Sequence, residues 1–70
     1  MRKIEYPHTY GDDGKAINFC EIYCLSTETK PEDGIATGSI AVEVNTGKVY
    51  FFNEAGTAGS KWVEQFTFQT

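Results

Sequence analysis

Cys20 and Cys24, with the single histidine His8, are the residues of this chain whose types best suit chemistry. Two thiols and an imidazole suggest either a nucleophilic pair or three ligands of a zinc site. A closed zinc site takes four ligands, usually as two close pairs, and the second pair is missing here. A Cys–His nucleophile needs an orienting third group inside a cleft, and a chain of 70 residues has little room to build one. The expected roles are plainer: His8 exposed beside Pro7, and two thiols acting as small buried hydrophobes. In a strand, residues four apart lie about 13 Å apart at roughly 3.3 Å per residue. A disulfide needs Cα atoms within about 7 Å. In a helix the two would instead share a face. The strand is preferred, so both thiols are expected to be reduced, as in a reducing compartment.

The carboxylate pairs Asp12-Asp13 and Glu32-Asp33 have the types needed for acid/base work or for calcium. Both lie beside glycine, where adjacent acids form turns, and neither sits in an EF-hand pattern. The stretch Gly56-Thr57-Ala58-Gly59-Ser60-Lys61 has phosphate-loop composition but lacks the G-x-x-x-x-G-K-[ST] spacing, and an aromatic strand follows it rather than a helix. No cofactor, metal or catalytic residue is expected.

Aromatics are the other resource. The chain has ten, and 40% of its residues are hydrophobic. Tyr50, Phe52 and Trp62 would suit a strip that binds a sugar or a partner protein, because aromatics give contact area at low entropy cost. The competing expectation places them in the core. A domain of this size buries only about 60% of its unfolded surface, so a thin aromatic core completed by a partner is expected.

Six basic residues stand against ten acidic ones, for a net charge of −4. The bases are scattered, and the only adjacent pair is Arg2-Lys3. Nucleic-acid binding, which depends on a basic patch, is not expected. No apolar run approaches the roughly 18–20 residues of a membrane span. The start has no hydrophobic core of a secretory signal. The chain therefore reads as complete from Met1 and kept in a cytoplasm.

The elements that must position these residues follow from period and punctuation. Residues 1–16 read as an N-terminal arm or edge strand, stopped by Pro7, and a turn at 11–14. Residues 17–25 (INFCEIYCL) read as a strand with Cys20, Ile22 and Cys24 on one face. Residues 26–38 form a polar loop, long for such a chain and contributing little burial. Residues 39–69 read as a three-strand meander. Asn45-Thr46-Gly47 suits a type I turn closed by a left-handed glycine. Residues 48–53 are apolar on both faces, as a central strand would be. Residues 54–60 read as a flexible connector. On the last strand, Trp62, Glu64, Phe66 and Phe68 share one parity.

Ser26-Thr27, Thr29-Lys30-Pro31, Gly38-Ser39, Glu43-Val44, Thr46-Gly47-Lys48, Tyr50, Phe52, Glu54 and Trp62 form a spaced pattern over residues 25–62. This pattern resembles small proteins encoded in the virion-morphogenesis regions of phages and prophages of Gram-positive bacteria. The resemblance implies a head, head-fibre or tail accessory, present in the host cytoplasm during expression and then in the virion. It carries over no catalytic residue.

The expected fold is all-β, a small antiparallel meander of four or five strands with a long polar loop. The expected function is non-catalytic: a phage or prophage structural protein that self-assembles as a homo-oligomer or docks on another virion protein. Its interaction residues would be Tyr50, Phe52, Trp62, Phe66 and Phe68, with Val49 and Phe51 adding buried area. A carbohydrate-binding module using the aromatic strip is the alternative. A weaker one is a regulator or inhibitor of a host protein acting through the 26–38 loop.

Overall fold

The computed structural model describes residues 1–7, 9–10 and 14–67. His8, Gly11, Asp12, Asp13 and Phe68 lie outside the described residues, and with them the turn expected at 11–14. The chain forms β1 (Arg2–Glu5), β2 (Thr9–Tyr10), β3 (Ala16–Ile17), β4 (Cys20–Cys24), β5 (Ile40–Glu43), β6 (Lys48–Phe52) and β7 (Trp62–Thr67). Five of these make one sheet in the order β1-β4-β5-β6-β7, and β2 and β3 make a separate two-stranded ribbon. The fold is mainly β, as expected. The segment read as one strand over 17–25 is divided. Asn18 turns aside to bridge Ile35 and donates its side-chain amide to the Tyr6 carbonyl at 2.8 Å.

The sheet is mixed, which corrects the antiparallel expectation. β5, β6 and β7 do form an antiparallel meander, and β1 pairs antiparallel with β4. β4 and β5, however, run parallel, with Ile22 opposite Ala41 and Cys24 opposite Glu43. A parallel pair needs a crossover of a dozen or more residues to carry the chain back. Residues 25–39 supply it. The length of that loop was the sequence signal for a crossover.

The crossover also corrects the expectation that this loop adds little burial. It lies across one face of the sheet and presses Ile35 and Ala36 into it. Ile35 packs with Cys20, Ile22, Cys24, Ala41 and Phe52 as the core, and Tyr50 and Trp62 pack against that cluster. Backbone bonds hold the loop down. Asn18 donates to the Gly34 carbonyl and Ala36 donates back to Asn18, each at 2.8 Å. Ser39, fully buried, accepts the Cys20 amide on its hydroxyl at 2.9 Å. Cys20, Ile22 and Cys24 share the covered face as expected, and both cysteines are free thiols.

The β5–β6 turn matches its expected chemistry. Gly47 has φ of 79° and donates to the Glu43 carbonyl at 2.7 Å. That φ is left-handed, which glycine adopts without a Cβ penalty. The connector at 54–60 is more ordered than its composition implies. The Glu32 carboxylate accepts the amides of Gly59 and Lys61 at 2.8 and 3.2 Å.

Ile22 is fully buried at the centre of the core. Ile22→Ala is expected to cost about 2–5 kcal/mol. A core this small rarely supplies more than about 3–5 kcal/mol in all. The variant should therefore be largely unfolded without denaturant by circular dichroism. A urea midpoint equal to that of the parent chain would contradict this packing.

Candidate functional site

The register of the sheet sorts the side chains into two faces. On the covered face, Lys3, Ile22, Ala41, Tyr50 and Glu64 stand in one line across the five strands, and Phe52 stands beside Trp62. On the opposite face two such lines run side by side. One is Ile4, Glu21, Ile40, Phe51 and Val63; the other is Arg2, Tyr23, Val42, Val49 and Phe66.

The structure therefore divides the expected interaction residues. Tyr50, Phe52 and Trp62 lie under the crossover and clamp it. Phe52 is buried and meets Trp62 edge-on, with ring centroids 4.8 Å apart and planes at 64°. The Trp62 indole N–H donates to the Pro31 carbonyl at 2.9 Å. The Lys30 ammonium sits 4.2 Å from the centre of the Tyr50 ring, a cation–π contact. These three side chains do not form a flat exposed strip. Phe66 stands on the other face, and Phe68 lies outside the described residues.

Phe66 leaves the parity expected of it because β7 contains a bulge. Tyr50 pairs with Glu64, but the adjacent Val49 pairs with Phe66, so Gln65 is an extra residue in β7. A bulge of this kind breaks the simple alternation of a strand. Val63 and Phe66, of opposite parity, consequently share a face.

The Lys30–Glu43 pair is the electrostatic centre of the covered side. Lys30 Nζ lies 2.7 Å from Glu43 Oε2, and the Thr46 hydroxyl donates to Oε1 at 2.8 Å. Both side chains are largely buried. Hydrogen bonding from Lys30 holds the Glu43 carboxyl below its ordinary value of 4.5. Burial, reinforced by the Glu43 carboxylate, pushes the Tyr50 hydroxyl up to about 12. Burial also raises both the Cys20 and the Cys24 thiol. That direction is opposite to the lowering that activates a cysteine nucleophile. Among the described residues no three His, Cys, Asp or Glu side chains gather as metal ligands would. A cleft between the ribbon and the loop is lined by Lys15, Glu32, Asp33, Glu54 and Lys61. Its Glu32 and Glu54 carboxylates accept backbone amides, those of Gly59 and Lys61 and that of Thr37, and so act as loop staples.

The opposite face is apolar and partly exposed. Tyr23, Phe51, Val63 and Phe66 are exposed to 38%, 41%, 44% and 49%, and Val49 beneath them is buried. Ile4, Ile40 and Val42 are half-buried between them. Among the described residues no second layer lies over it. Only Glu21 and Arg2 bring charge to its two rows, both at the β1–β4 side. Glu21 accepts the hydroxyls of Tyr6 and Tyr23 at 2.7 and 3.3 Å. Sequence reasoning included Val49, Phe51 and Phe66 in the buried area but missed Tyr23, Ile40, Val42 and Val63. Alternation within β5 separated Ile40 and Val42 from Ala41 and Glu43 without saying which pair faces the core.

Comparison with protein-family models, with curated proteins and with solved structures returns no match.

Because the pKa of Glu43 is depressed in the fold, its contribution to stability is full above 4.5, the unfolded value, and is lost as pH falls through the lower folded value. Lys30→Met leaves a buried carboxylate without its cation and is expected to cost about 3 kcal/mol or more. It should also move acid unfolding, followed by Trp62 fluorescence, to higher pH. Coincident acid midpoints in the two proteins would show that the pair does not hold the loop.

Proposed function

We propose that this chain is a non-catalytic structural or interaction protein that buries its open sheet face in an assembly. The observation that carries this reading is the contrast between the two faces of one sheet. One face is covered over its inner strands by a pinned crossover; the other presents apolar side chains to solvent across all five strands. The largest apolar patch on a small protein, typically some hundreds of Å², is often a functional surface. Val49 and Phe51 on one side of β6, with Tyr50 and Phe52 on the other, fit a strand buried on both sides.

The resemblance of residues 25–62 to small virion-region proteins of phages and prophages agrees with such a role, and a virion accessory is the biological setting proposed. A carbohydrate platform of Tyr50, Phe52 and Trp62 has less support, because Phe52 is buried and edge-on to Trp62. A regulator acting through the 26–38 loop also has less support, because Lys30 and Glu32 in that loop hold the fold together.

Analytical ultracentrifugation of the purified chain should show mass rising with concentration. Phe51→Asp combined with Phe66→Asp should abolish that rise while leaving the unfolding midpoint nearly unchanged, since both residues are exposed in the single chain. A parent chain that stays monomeric at high concentration would overturn the assembly reading.

A further inference from the structure

We infer that the occupant of the open face is a second copy of the same chain, packed face to face about a two-fold axis that runs across the strands and between the two rows. This rests on the assembly reading above and adds the partner and its geometry.

Charge supports the partner. The chain carries a net −4. Of the charged residues within the five strands, Lys3, Glu5, Glu43, Lys48 and Glu64 stand on the covered face. The two rows of the open face hold one Arg2 and one Glu21 and are neutral together. Two copies placed back to back thus turn their acidic sides outward and bring neutral apolar surfaces together. An apolar, uncharged face is its own complement, as a two-fold interface requires.

Area supports it too. The exposed parts of Tyr23, Phe51, Val63 and Phe66, with the half-buried aliphatics, amount to roughly 400 Å² per copy if a whole aromatic side chain is about 200 Å². Two such faces, with Tyr6, Phe19, Arg2 and Glu21 at the rim, reach about 1,000 Å², the lower limit for a specific interface. A weak, concentration-dependent dimer is the expected product.

The side chains select the axis. An axis along the strands would lay β1 over β7 and β4 over β6, setting Arg2 against Phe66 and Glu21 against Phe51, at the cost of stripping water from charges. An axis across the strands lays each strand over its own equivalent and each row over the other row. Phe66 then faces the second copy's Val63, Phe51 faces its Val49, and Ile40 faces its Val42. Large meets small at each of these positions, as interdigitating sheets about 10 Å apart require. Arg2 faces the second copy's Ile4 and Glu21 faces its Tyr23, so Arg2 and the second copy's Glu21 stand diagonally on neighbouring strands, and the symmetry makes that pair twice. The β7 bulge is needed for this match, since it brings Phe66 onto the face beside Val63.

The test exchanges large for small on β7. V63F sets two aromatic rings against each other and should weaken self-association by about tenfold or more. V63F/F66V reverses the order of sizes, keeps large over small, and should restore association to near the parent value. Val63 is exposed in the single chain, so circular dichroism and urea unfolding should be unchanged in both variants. Association that ignores V63F, or that the double variant fails to restore, overturns this geometry and leaves the assembly reading standing. A parent chain that never associates overturns both.

Discussion

The fold depends on one buried ion pair that decides which side of the sheet becomes the core. Lys30 reaches from the crossover to Glu43 on β5, at 2.7 Å, with Tyr50 beneath its ammonium. A buried carboxylate is costly unless it is paired and hydrogen-bonded, and Glu43 is both. Once it is paired, the loop is held against the sheet, and Ile35 can fill the space above Ile22 and Ala41. Small Ala41 then faces inward and the larger Ile40 and Val42 face outward. A pair of this kind is weak evidence for net stability. Its role here is to fix the position of a loop that has no helix or strand of its own.

Sealing one face leaves the other open. The crossover exists because β4 and β5 are parallel, and a crossover lies on one side of a sheet. Among the described residues one parallel pair calls for one such segment, and therefore one lid. Apart from the buried Val49, the apolar residues of the opposite face remain outside the single-chain core. The concentration of charge on the lidded side and its near absence from the open rows make the two faces chemically distinct.

The bulge at Gln65 sharpens that distinction. Without it, Phe66 would join Trp62 and Glu64 on the covered side, and Gln65 would stand beside Val49. With it, the edge strand β7 gives both Val63 and Phe66 to the open face. Bulges on edge strands also twist the edge away from further strand pairing. One extra residue thus favours contact through the face over contact through the edge.

Much of this was legible in the residues. Strand positions, the Gly47 turn, the free and buried cysteines and the apolar character of both sides of β6 follow from local rules: period two, β-branched and aromatic content, and the conformational freedom of glycine. The parallel pairing, the burial provided by residues 26–38 and the face taken by Phe66 did not follow from such rules. Each depends on an interaction between residues far apart in the chain: Lys30 with Glu43, Asn18 with Ile35, Val49 with Phe66. Alternation along a strand separates two sets of side chains but gives neither set the core. By itself the sequence determined a small β domain whose apolar content exceeds what it can enclose. Only the tertiary structure decided which face is enclosed, because that choice is made by where the crossover lands and what charge holds it there.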